Sequence, residues 1–139
     1  MANPEDIRAG LAGALRAAFR DVQVSEYVLA NPTAPGLEID MDPEGVSYDE
    51  AMARGHDEWW WIVRGFVSGA TDKGAQIRRD EWLASSGSSS VKAAVETDET
   101  LGGACFDLRV VSAQPRVYTV DNSQYVGAEW RVQVWATGI

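Results

Sequence analysis

Cysteine and histidine are what this chain has least of: one of each, Cys105 and His56, in 139 residues. A single thiol cannot form an intrachain disulfide, so nothing demands an oxidising compartment. No apolar run approaches the ~20 residues of a membrane-spanning helix. The opening MANPEDIRAG has neither the basic start nor the apolar run of a secretion signal, and the expected home is a cytoplasm. Positive charge is scarce too: 12 Lys and Arg against 21 Asp and Glu leave a net charge of −9. That balance excludes a globally basic surface for gripping nucleic acid. An acidic wall past which DNA slides stays compatible with it, because like charges repel. With 45% hydrophobic and 24% charged residues, the composition is that of a globular chain, and the length is that of one domain.

Motifs for chemistry are thin. His56 precedes Asp57 and Glu58, and a histidine beside acids can serve as a general base or a metal ligand. No partner set accompanies it, so a surface loop residue is expected. The same triplet opens like a zinc deaminase signature, which needs a later pair of cysteines that the chain lacks. Asp40-Met41-Asp42-Pro43-Glu44-Gly45 opens like a calcium loop, with glycine in the sixth place. Glutamate in the fifth place, Pro43 inside, and Ala51 where a bidentate glutamate belongs break the pattern, and a solvated acidic loop is expected. The serines of SSGSSS, 85 to 90, with Lys92 lack the glycine spacing of a P-loop, and there is no Gly-x-Ser-x-Gly elbow. Cys105 is expected as a small buried hydrophobe. No catalytic, metal-binding or cofactor-binding residue is assigned.

Tryptophan, in contrast, is abundant: six residues, three of them consecutive in DEWWWIVRGFVSG, residues 57 to 69. Neighbours along a strand point to opposite faces. One face would carry Trp59, Trp61, Val63 and Val67; the other Trp60, Ile62 and Phe66, broken by Arg64. A half-exposed strand alternates apolar with polar, whereas this one is apolar on both sides, so something must cover both. In so small a chain the surplus points to burial by other subunits, as in a ring or polymer.

The remaining pattern is readable in pieces. Asn3-Pro4-Glu5-Asp6 predicts a helix start, followed by a stripe of Ile7, Leu11, Ala14, Leu15 and Ala18 to about Arg20. VQVSEYVL, 22 to 29, predicts a strand, then NPTAPG a break. LEIDM, 37 to 41, sets Leu37, Ile39 and Met41 against Glu38 and Asp40, a half-buried strand. Residues 42 to 56 are expected as a loop; from Glu38 to Glu58 eight acids face one base, Arg54. The tryptophan strand spans about 57 to 68, with Gly65 and Gly69 as candidate bulge or end points. Thr71-Asp72 caps a helix to about Ala84, and SSGSSS caps a shorter one with a stripe of Val91, Ala94 and Val95. ACFDLRVV predicts a strand with Phe106, Leu108 and Val110 inward, interrupted by turns at Gln114-Pro115 and Asp121-Asn122-Ser123. YVGAEWRVQVWA places Val126, Ala128, Trp130, Val132 and Val134 inside and Glu129, Arg131 and Gln133 outside. Trp135 falls opposite Trp130. The order predicts an α+β fold: one compact domain, a mixed or antiparallel sheet with an N-terminal helix and two further helices packed on it.

LASSGSSSVKAAVETDETLGG, the strand after it and YVGAEWRVQVWATG resemble the tail terminator (tail completion) proteins of long-tailed bacteriophages. The likeness reaches upstream through the tryptophan strand, the PGLEI strand and the capped N-terminal helix, and is tightest from about residue 80 to 135. Members of that family are small α/β subunits of a hexameric ring. The ring caps the tail tube, ends its growth and gives the DNA-filled head a docking surface; DNA later passes through its channel. The resemblance thus implies a homo-hexamer with a tail tube protein and a head-side connector or stopper as partners. Duplex DNA would pass without sequence-specific binding. No membrane, cofactor or enzymatic activity is implied, and the expected place is the head–tail junction of the virion, after assembly in the host cytoplasm. On this reading Trp59, Trp60, Trp61, Arg64 and Trp135 are expected at a subunit or partner interface. Asp40, Asp42, Glu44, Asp49 and Glu50 are expected along the channel or facing a partner. Connector and stopper subunits of phage necks are similar in size and composition. From another class, a small ligand-binding or hydrolytic domain would use His56 and its neighbouring acids.

Overall fold

A computed structural model describes residues 3–28, 34–48, 56–69, 73–120 and 122–137. Helix α1, Pro4–Ala18, begins where the cap chemistry places it: the Asn3 side chain accepts the Glu5 N–H at 2.9 Å, and Pro4 follows. Its buried stripe is Ile7, Leu11, Ala12 and Leu15; of the expected stripe, Ala14 is only partly covered and Ala18, where the helix ends, is exposed. Strands β1 (Gln23–Ser25), β2 (Gly36–Ser47), β3 (His56–Gly69), β4 (Asp107–Val120) and β5 (Ser123–Thr137) form one sheet in the order β1-β2-β3-β5-β4. Only β1 and β2 run parallel; the other neighbours are antiparallel. Helices α2 (Lys73–Leu83) and α3 (Val91–Val95) and a 3-10 turn at Leu101–Gly103 connect β3 to β4. The fold is α+β, a mixed five-stranded sheet with an N-terminal helix and two further helices in one compact domain.

One core holds it together. Ile7, Leu11 and Leu15 of α1, Ala75 and Trp82 of α2, and Val91 and Val95 of α3 pack on Trp59, Trp61 and Val63 of β3 and Trp130, Val132 and Val134 of β5. All helices thus cover the face that the odd-numbered residues of β3 occupy. Gly65 makes the closest part of this packing possible: a Cβ there would lie 2.8 Å from the Trp82 ring. The bulge in β3 lies between Phe66 and Ser68, one step past Gly65, while Gly69 is where the strand and its pairing end, one of the two places the sequence offered for it.

Several boundaries differ from the sequence pattern. β1 has three residues, not eight, because only Gln23 to Ser25 pair with β2. β2 runs on through Asp42, Pro43, Glu44 and Gly45, which the sequence assigns to a loop; a register shift between Met41 and Val46 absorbs them. β4 runs through Gln114 and Pro115 without a turn. It is the last strand of the sheet, and on an outer edge a missing N–H removes no ladder bond. Phe106 precedes β4 and is exposed, not inward, and Ile77 lies on the open side of α2. The β4–β5 turn is where expected: Val120 pairs with Ser123, and Asn122 takes a left-handed φ of 66°. The Thr71-Asp72 cap and Asp121 lie outside the described residues.

Candidate functional site on the helix-free sheet face

The even-numbered residues of β3 face away from the helices, with the cross-strand partners that the register gives them. This face alternates aromatic rings with ion pairs. Arg64 Nη1 donates to Asp40 Oδ2 at 2.8 Å, and its Nε lies 3.9 Å from Glu129 Oε2. Arg116 reaches the same Glu129, donating from Nη2 at 2.9 Å, and also bonds Gln114. Arg131 donates to Asp42 Oδ2 at 3.1 Å and meets Glu44 at 3.2 Å, while its guanidinium lies 4.5 Å from the centre of the Trp60 ring. Arg109 donates to Gln133 and lies 5.9 Å from the Trp135 ring; Gln133 in turn donates to Glu58.

Arg64, Arg109, Arg116 and Arg131 sit among a larger number of carboxylates on this face. Burial works against the Arg64 charge, but the hydrogen bond and the charge of Asp40, with Glu38 behind it, outweigh that and raise its pKa. Burial, followed by the Glu129 charge, pushes the Tyr118 phenol well above its usual range, so it stays protonated and donates to the Ala128 carbonyl at 3.2 Å. The Tyr118 ring lies 4.6 Å from Phe66, and Tyr125, its cross-strand neighbour, lies 6.3 Å from Phe66. Gly127 lies under this cluster: a Cβ there would collide with the Gly65 carbonyl oxygen and approach the Tyr118 ring to 2.9 Å.

These contacts answer what covers the second apolar face of the tryptophan strand. Phe66 and Ile62 are buried although no helix reaches them. Tyrosines shelter Phe66, and Ile62 sits across from Asp40 and Arg131. A neighbouring subunit is not needed for those two. Trp60 and Trp135, together with Arg64, keep part of their surface open on this face. Trp59 and Trp61 are not there. Trp61 is 0% exposed and Trp59 8%, both in the helix-side core, so the expectation that they meet a partner is corrected. Strand parity allows this, because one step along β3 changes the face.

The acidic segment divides. Asp40, Asp42 and Glu44 lie on β2 or its bulge, each with an arginine, and not in a solvated or calcium-like loop. Asp49 and Glu50 lie outside the described residues. Among the described residues no group of three or more His, Cys, Asp and Glu is placed to hold a metal ion. His56 begins β3 and is not a loop residue; its ring meets Phe106 edge-on at 5.1 Å. Cys105 is buried as expected, though just before β4, not in a strand; burial pushes its thiol up to about 11.

Sequence reasoning missed Arg109, Arg116, Arg131, Glu129 and Tyr118 as members of this face. For Glu129 and Arg131 the signal was the polar half of the β5 alternation, which looked like an ordinary solvated side; Arg109, Arg116 and Tyr118 lie on β4 and join the face only through its pairing with β5. Arg131 and Asp42 stand 89 residues apart, and only the sheet register brings them together. No protein-family model matches the chain, and no curated protein matches it.

Proposed function

We propose that the chain is a structural, non-enzymatic subunit that assembles as a ring, hexameric by the resemblance, at the end of a phage tail tube. There it stops growth of the tube and presents a docking surface to the head. The resemblance supplies the role. The observation that carries it further is the helix-free sheet face: a broad surface on which Arg64, Arg116 and Arg131 are ion-paired with carboxylates and two indoles, Trp60 and Trp135, are left partly open. Such a face suits protein docking. Charges already paired leave no lone ion to be buried on docking, and half-open aromatics beside arginine are the side chains that anchor interfaces. A channel wall for DNA would gain from unpaired acids that repel phosphates. Asp40, Asp42 and Glu44 are therefore assigned to a protein partner, not to the channel. The α+β single domain agrees with the small subunit that the resemblance implies.

The test uses tail tubes polymerised from a tube protein, imaged by negative-stain electron microscopy with and without the chain. Extra density at tube ends and a shortened, narrower length distribution are expected. Bare ends and an unchanged distribution would overturn the reading. Binding to head-side portal complexes in place of tube ends would make the chain a connector or stopper instead.

A further inference from the structure

Two apolar patches lie at opposite edges of the sheet, both on the helix side, and neither is used by the helix-free face. Beyond the register shift at Val111, β4 stands clear of the helices, and residues 111 to 117 are exposed. Between this stretch and the end of α2 runs a groove of about 350 Å³, lined by Leu83, Val110, Val111, Ala113 and Pro115, with Trp130 in its floor. Lys92, ion-paired with Glu96 on α3, lies at its rim and keeps 38% of its side chain exposed. At the other edge, just past β1, Tyr27 and Val28 are each 52% exposed.

We propose that Tyr27 and Val28 of one copy seat in the β4 groove of the next, so that this contact is the seam of the ring. The inference rests on the ring reading given above. Three features of the molecule support it.

Tyr27 is held ready. The Arg8 guanidinium lies 4.4 Å from its ring, and the Ser25 hydroxyl bonds both its N–H, at 3.2 Å, and its carbonyl, at 2.6 Å. An anchor already ordered loses less freedom on docking. Some of the outward backbone groups at both edges are already taken, which favours side-chain docking over strand addition. Arg16 and Arg8 occupy the carbonyls of Val24 and Glu26, Glu96 occupies the Val110 N–H, and Pro115 has no N–H to give. The charges also match. Glu26, beside Tyr27, has only a 3.9 Å contact with Arg16, and it would arrive near Lys92.

Geometry sets the mode of assembly. The patches stand four strand spacings apart, about 19 Å, so one copy cannot join its own pair. Unlike patches that join head to tail close into a ring when the rotation allows it.

The test replaces Tyr27 of the full chain by photoreactive benzoylphenylalanine and irradiates it across a range of concentrations. Cross-links between copies, mapped by mass spectrometry to residues 83 to 117, are expected. Val111→Asp, at an exposed position, should cut their yield at least tenfold while thermal unfolding stays where it was. Cross-links mapping elsewhere, cross-links indifferent to Val111→Asp, or monomer alone up to the solubility limit would each overturn the seam. Tube-end capping is scored separately. Capping by a chain whose cross-links map elsewhere defeats the seam alone; groove cross-links without capping defeat the capping role and leave the seam.

Discussion

Trp60 and Trp61 are adjacent, yet they have different duties. Trp61 is fully enclosed between β3 and the helices, whereas Trp60 lies flat under Arg131 with part of its surface open. Trp61→Ala should cost about 3–5 kcal/mol, the range for emptying a buried aromatic site. Trp60→Ala should cost about 1 kcal/mol, a partial burial plus one cation–π contact. Urea unfolding of the two variants measures the gap, and equal losses would contradict the assignment of faces. Gly127 makes the same point in the opposite direction. Any side chain there meets the Gly65 carbonyl on the facing strand, so Gly127→Ala should destabilise by about 1–3 kcal/mol through overpacking. The Cys105 thiol, raised by burial, should react slowly with a disulfide reagent at pH 8 in the native state and rapidly once urea opens the core.

At the scale of elements, the connection from α2 to β4 depends on two polar side chains. The Ser90 hydroxyl accepts the Ala93 N–H and donates to the Ala84 carbonyl, closing the serine turn onto α3. Asp98 accepts from the Thr100 hydroxyl and N–H and from the Gly102 N–H, which fixes the turn into Leu101–Gly103. These bonds, led by the Thr100 hydroxyl, hold the Asp98 carboxyl below its ordinary range. Between its folded and unfolded pKa the unfolded chain binds more protons, so stability rises with pH there. The contribution is complete above the usual carboxylate value of about 3.9 and is lost as pH falls through the lower folded value. Asp98→Ala should flatten that acid limb in a series of thermal unfolding curves from pH 2 to 6; an unchanged limb would mean that the turn holds without the carboxylate.

The elements also show what the sequence could disclose. α1 was legible because its cap, its proline and its stripe all agree. β3 and β5 were legible because a period of two is hard to imitate, and parity alone separated Trp60 from Trp61 and Trp135 from Trp130. β2 was cut short where the acidic, polar run from Asp42 begins, and β4 at Pro115, since a proline in a run reads as a break. In the sheet both prolines fall where no neighbour asks for the N–H: Pro115 on the outer strand, and Pro43 in a bulge beyond the three residues that β1 pairs. The polar face was the least legible part. Which partner an arginine takes depends on register across three strands, and no local pattern encodes that.

For the whole molecule, the distribution of charge and ring surface decides which side can meet a partner. The chain carries −9 in all, yet on the helix-free face Arg64, Arg109, Arg116 and Arg131 interleave with the carboxylates, and Trp60 and Trp135, with Tyr118 and Tyr125, keep aromatic surface open. Exposed ion pairs add little net affinity, so the indoles should dominate docking there. The double variant Trp60→Ala with Trp135→Ala should therefore keep the core and unfold within a few degrees of the parent, because neither indole belongs to the helix-side cluster. Its occupancy of tube ends should fall at least tenfold, about 1.4 kcal/mol or more. Counting decorated ends in micrographs, beside a thermal melt, separates the outcomes. Decoration at the parent level would move the partner contact to another surface, and the paired charges of this face would then serve only to shelter Ile62 and Phe66.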